Sequence, residues 1–146
     1  MSASFSEADI EAEALSCTST LFKAEGDGDD GGKGEGEGET ALNFITRYFE
    51  VQPGGYSTLE HHQHPHSVVI LRGRGVVILE DRVEPLALHD CVYVAPGAWH
   101  QFHATGEEPL GFLCVVDRQR DRPVLPEEDD LERLGRSPEV GRRLRS

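Results

Sequence analysis

The run Glu60-His61-His62-Gln63-His64-Pro65-His66 holds four histidines and an acid, and His100 and His103 follow further on. All seven histidines of the chain lie between positions 61 and 103. Imidazole is the commonest protein ligand for divalent transition metals. Side chains alternate along extended backbone, so His62, His64 and His66 are predicted to share one face, which is how a β-scaffold converges nitrogens on one ion. A histidine-rich surface tract would have the same composition, and Pro65 removes a donor from any ideal strand. Turn residues and an apolar strand flank the run, however, and low-complexity tracts seldom sit there.

The neighbouring groups read differently. His61 has the opposite parity to His62 and is expected to face away as a surface histidine. His103 lies three residues after His100, so on a strand it points the other way and reads as a supporting or surface group. Glu60 is the candidate general base, or the carboxylate that orients a ligand imidazole; an exposed, solvated acid is the plain alternative. Trp99 and Phe102 suit either a pocket wall or the core. Tyr48 and Tyr93, if inward, would reach a bound substrate.

These residues must be positioned by β-structure. Pro53-Gly54-Gly55 reads as a turn, followed by strands at 56–60, 67–71, 76–79, 83–88, 91–94, 101–104 and 110–116, separated by turn signals such as Pro96-Gly97 and Thr105-Gly106. Short strands at such intervals, with no helical period between them, predict an antiparallel sandwich or barrel. Upstream, 7–15 reads as a short helix with Ser6 as N-cap and Asp9 in the capping-box position, and 19–24 and 42–51 read as strands. Residues 118–126 form a polar arm, and 127–134 and 138–144 are short charged stretches compatible with helix.

Between the first two strands, residues 25–39 alternate glycine with acid, with seven acids against Lys33. Such a segment buries nothing to offset its ordering entropy and is expected to be a disordered insertion. Asp27, Asp29 and Asp30 are oxygen ligands near glycines, but the spaced pattern of a calcium loop is absent. The chain of 146 residues fits one domain, and its formal charge of −13 argues against nucleic acid, which needs clustered Lys and Arg. No apolar run approaches the ~18 residues of a membrane span, and the N-terminus shows no secretory pattern. Cys17, Cys91 and Cys114 are too few and scattered for a disulfide framework or a CxxC site; Cys91 and Cys114 read as small buried hydrophobes. A cytoplasmic location is expected.

The turn Pro53-Gly54-Gly55, the His62/His64/His66 cluster, Gly73, and the run Asp90-Cys91-Val92-Tyr93-Val94-Ala95-Pro96-Gly97-Ala98-Trp99-His100 together resemble the two motifs of the cupin superfamily. The resemblance covers 42–117 and implies an all-β double-stranded β-helix, or jelly-roll, barrel with short peripheral helices. It also implies a metal site facing the barrel interior. In such proteins the first motif supplies two histidines and a glutamate and the second one histidine. Here the histidine pair falls on His62 and His64, the second-motif histidine on His100, and the glutamate position on His66. A second register places the pair on Glu60 and His62, keeping His66. The second motif also departs from the pattern, with His89 where a glycine usually precedes the aspartate.

The preferred ligand set, His62, His64, His66 and His100, is similar to that of four-histidine cupins. Four neutral nitrogens suit iron, manganese, copper or nickel, with zinc possible, and leave the ion's charge uncompensated for an anionic substrate or dioxygen. The implied function is a dioxygenase-type enzyme acting on a small polar molecule; a cupin isomerase or decarboxylase, or a non-catalytic sensor or storage module, are the alternatives. The resemblance further implies a two-fold homodimer. Because loop length enters closure entropy only logarithmically, ~0.6 kcal/mol per doubling, deleting residues 26–38 is expected to leave the melting temperature nearly unchanged. A protein unfolded by that deletion would refute the insertion reading.

Overall fold

Alternating apolar positions draw the chain into strands with one wet and one dry face, and the computed structural model describes this for residues 17–20 and 43–145. Eight strands are described: β1 (Cys17–Thr20), β2 (Phe44–Val51), β3 (His66–Arg72), β4 (Gly75–Leu79), β5 (Arg82–Leu86), β6 (Cys91–Val94), β7 (His100–Ala104) and β8 (Leu110–Asp117). They form two antiparallel sheets, ordered β1-β2-β8-β3-β6 and β5-β4-β7. The predicted helix at 7–15 and the acidic insertion at 25–39 lie outside the described residues, as does the predicted strand at 19–24 beyond Thr20.

The two sheets face each other across a core of Val51, Val68, Ile70, Val77, Val94, Phe102, Leu110, Phe112 and Val116. Phe102 and Phe112, from opposite sheets, stack with centroids 4.8 Å apart. The continuous apolar run of β4 has a separate explanation: it is buried on both faces. Val77 and Leu79 enter the barrel core, whereas Ile78 joins Leu59, Trp99, Leu134 and Val140 in a second cluster on the outer side of the smaller sheet. Two short helices, α1 (Glu128–Gly135) and α2 (Pro138–Gly141), supply Leu134 and Val140. α1 begins with Glu128, Asp129 and Asp130, acids that suit the positive end of the helix dipole, and the Glu127 N–H donates to Asp130 Oδ2.

Two expectations change. The predicted strand at 56–60 is reduced to isolated bridges alongside β7, Tyr56 to His103 and Glu60 to His100. Those bridges leave one residue more on this segment than on β7, and the extra residue breaks the ladder as a bulge does. Cys91, predicted to be buried, is exposed, whereas Cys114 is buried; β6 presents Cys91 and Tyr93 outward and Val92 and Val94 inward. No helix among the described residues is long and apolar enough to cross a membrane.

Two glycines are required by backbone approach. Gly73 turns β3 into β4 at φ +67°, and a Cβ there would overlap the Pro109 carbonyl. Gly75 opposes Ala104 in the ladder, and a Cβ on it would overlap the His103 carbonyl oxygen. Because that obstacle is backbone within a sheet, Gly75→Ala is expected to destabilise the fold by more than the ~1 kcal/mol typical of point substitutions, read as a lowered urea midpoint. An unchanged midpoint would mean that β4 and β7 can separate at that point.

Candidate metal centre

The histidine run leaves the β7 edge at His61 and enters β3 at His66, and between those points burial alternates: His62, His64 and His66 are buried while Gln63 and Pro65 are exposed. The predicted sharing of one face therefore holds although residues 62–65 are not in a strand. His100 opens β7 and is 3% exposed. The ligand-capable nitrogens of His62, His66 and His100 come within 4.8 Å of one another. These three are common to both registers of the first motif. His64 stands outside that trio; its ring stacks on His62 at 3.7 Å between centroids and 11° between planes, and lies 5.2 Å from His66.

Each of the four rings has a partner at Nδ1. Nδ1 of His62 donates to the His64 carbonyl at 2.7 Å, and Nδ1 of His100 to the Ala98 carbonyl at 3.0 Å. Nδ1 of His64 donates to Asp121 Oδ1 at 2.6 Å, and Nδ1 of His66 meets Cys114 Sγ at 3.4 Å. Carbonyl and carboxylate oxygens only accept, so in His62, His64 and His100 these contacts put the proton on Nδ1 and the lone pair on Nε2. Nε2 of His62, His64 and His66 is buried and has no hydrogen-bond partner among the described residues. A buried acceptor left unpaired costs ~1–3 kcal/mol. His62 and His66, together with His100, bring ligand-capable nitrogens within 4.8 Å of one another, so these residues fit a divalent metal.

Burial sets the electrostatics. It lowers the His62 pKa to about 4, helped by the charge of His64. Burial, followed by repulsion from His100 and His62, takes His66 to about 2, and burial takes His100 to about 4. These rings are therefore neutral, as ligation requires. Glu60 Oε1 lies 3.9 Å from His100 Nε2, and its side chain is 18% exposed. Arg47, on the face of β2 that also carries Val51, is 7% exposed, and its Nη2 donates to Cys114 Sγ at 3.8 Å. Desolvation lowers the Arg47 pKa and raises that of the Cys114 thiol.

The cupin domain model matches residues 47–116. A cupin 2 domain-containing protein from Halorhodospira halophila is 50% identical in sequence, with a TM-score of 0.78 over 93% of this chain and 87% of that one. The chain belongs to the cupin superfamily. A cupin 2 conserved barrel domain protein from Rhodopseudomonas palustris is 38% identical, with a TM-score of 0.78 over 93% of this cupin and 84% of that chain. The 1-methylthio-D-xylulose 5-phosphate methylsulfurylase of Rhodospirillum rubrum is 53% identical over 88 residues, 60% of this chain. That match spans 56% of the relative's own length.

With the family settled, the remaining expectations sort out physically. His61 faces away from the cluster, but it is half-buried, its ring edge-on to Trp99 at 4.4 Å. His103 also points away, yet it is buried rather than on the surface: Nε2 meets Gln101 Oε1 at 3.1 Å, and the chain tail at Arg145 covers Gln101. Trp99 and Phe102 belong to the two apolar clusters. Neither tyrosine is inward: Tyr48 donates to Glu50 Oε1 at 2.8 Å, and Tyr93 is 66% exposed. His89, standing where cupins usually have glycine, has φ +71°, the conformation that favours glycine there. Sequence reasoning missed Arg47 and Asp121. Arg47 was detectable as a cation in register with apolar inward residues; nothing local marks Asp121.

Folded values near 4 for His62, His100 and His103, against 6.5 when unperturbed, fix a pH dependence for the metal-free protein. Below pH 6.5 the unfolded chain takes up protons that the folded chain refuses, so stability falls from there toward pH 4. His66, at about 2, extends the fall below that. Urea midpoints are expected to drop across this window, with a shallower slope in His103→Gln; midpoints independent of pH would contradict the neutral buried rings.

Proposed function

We propose that this cupin is a metal-dependent enzyme acting on a small phosphorylated ketose at its methylthio group. The metal half of the reading is carried by the buried, partnerless Nε2 atoms of His62, His64 and His66 beside His100. The substrate half is carried by the 53% identity over 88 residues to the R. rubrum methylsulfurylase. In this reading His62, His66 and His100 hold the ion, His64 is the fourth ligand, and iron, manganese, copper, nickel or zinc are the candidates. When bound, the ion supplies Lewis-acid polarisation of the sugar's carbonyl.

The chain's own groups do the rest. Glu60, the partly exposed carboxylate at the edge of the cluster, is the base that moves a proton at carbon next to that carbonyl. Arg47, buried on the barrel side of β2, supplies the positive charge that draws the phosphate inward. The Phe102 and Phe112 stack closes the barrel behind the site and keeps water out. A second reading, dioxygenase chemistry, is favoured by the neutrality of His62, His66 and His100, which leaves much of the ion's charge free for an anionic substrate together with dioxygen.

One experiment separates them. Protein loaded in turn with each metal is incubated with 1-methylthio-D-xylulose 5-phosphate, with and without a thiol, while the S-methyl proton signal and oxygen uptake are followed. Transfer of the methylthio group to the added thiol as a mixed disulfide, with the thiol's proton ending on the sugar carbon and no oxygen uptake, is the expected result. His66→Ala and His100→Ala are expected to lose both bound metal and turnover, and His61→Ala to keep both. Oxygen uptake would favour the dioxygenase, and stoichiometric metal with neither signal would leave a binding module.

A further inference from the structure

We propose that Asp121 is a positioning residue for the metal centre, and that through it the arm at residues 118–126 is a working part of the site. The inference rests on the reading of His64 as the fourth ligand. One carboxylate collects three hydrogen bonds from two consecutive residues: Oδ2 accepts from the Gln63 N–H at 2.7 Å, and Oδ1 from the His64 N–H at 3.1 Å and His64 Nδ1 at 2.6 Å. The arm is held in place a few residues later, where His61 and Val124 exchange backbone hydrogen bonds of 3.2 and 2.8 Å. The histidine loop is thus attached to the arm on both sides of His62, although residues 62–65 belong to no strand.

The bond to the ring distinguishes a positioning role from a plain loop clamp. Two backbone N–H groups on the carboxylate would suffice to hold the loop. The third bond fixes which nitrogen of His64 carries the proton, and leaves Nε2 as a buried lone pair with no partner among the described residues. It also fixes the ring plane parallel to His62. Without Asp121, the proton is free to sit on either nitrogen and the ring is free to turn about its χ2 bond. His62 and His100 obtain the same service from nearby backbone carbonyls; His64 obtains it from a side chain 57 residues away.

Cobalt(II) titration of the full chain, followed by its visible spectrum, tests this with a double-mutant cycle. Asp121→Ala is expected to weaken cobalt binding ~10–100-fold, the usual effect of removing a carboxylate behind a ligand imidazole. Asp121→Asn, whose amide oxygen still accepts from Nδ1, is expected to recover part of the loss. In the His64→Ala background, Asp121→Ala should cost nothing more, because its effect passes through that ring. Nitrogen NMR of the metal-free protein should show His64 protonated on Nδ1 in the parent and mixed between nitrogens in Asp121→Ala. Additive losses in the cycle, or an unchanged His64 tautomer, would overturn the proposal. Cobalt binding unaffected by His64→Ala would instead overturn the ligand reading, with the NMR result still deciding whether Asp121 sets the ring.

Discussion

An imidazole taken out of water has two nitrogens to satisfy, and the site is organised around that requirement. The barrel buries His62, His64, His66 and His100 together. Each ring gives Nδ1 a fixed partner and turns Nε2 away from it. Burial rules out the cheap solution of protonating the rings, as the low pKa values of His62, His66 and His100 show. What remains is a set of buried ring nitrogens that one cation could satisfy at once. The surrounding core, which buries Val68, Ile70, Phe102 and Phe112 completely or nearly so, offsets that frustration.

The placement of the cluster links the two sheets. His66 opens β3 in the five-stranded sheet, and His100 opens β7 in the three-stranded one. Strand starts suit this purpose because the ladder fixes the Cα while the preceding loop stays free to bring in further groups, as 56–64 does with Glu60 and His62. An ion bound here would tie the sheets together at their shared mouth, on top of the apolar contacts further in. Occupancy and stability would then be linked by mass action, since the unfolded chain has no such convergence.

Much of this was legible in the sequence. The period-2 spacing of His62, His64 and His66 was enough to foresee their common face, and it survived Pro65 because alternation needs only extended backbone, not a paired strand. The strand at 66–72 and those from 75 onward were legible from apolar runs bounded by Gly, Pro and acidic turns. What was not legible depends on distant pairings. Asp121 meets His64 across 57 positions and Cys114 meets His66 across 48, and no local pattern encodes either. The bulge beside β7 escaped because the register of 56–60 is set by its partner. The exposure of Cys91 followed from strand parity that composition alone does not reveal. Of the two alternatives for His103, a supporting or a surface group, the surface one fails because the tail that covers Gln101 beside it comes from the far end of the chain.

Charge gives the arrangement its direction. The sequence carries −13 overall, yet the groups gathered around the histidine cluster are of another kind: the neutral imidazoles of His62, His66 and His100, the buried guanidinium of Arg47, and the partly exposed Glu60. A low-dielectric wall strengthens the field of a buried cation, whereas exposed surface acids are screened within ~8–10 Å at physiological salt. In the proposed function, an anionic ligand at the histidine cluster would meet Arg47 at closer range than the acidic surface. A bound divalent ion would add to that positive charge, partly offset by Glu60, whose Oε1 lies 3.9 Å from His100 Nε2. On the proposed reading, selectivity for small anions would follow from where the charges are buried rather than from their sum, so the net charge of −13 does not argue against an acidic substrate.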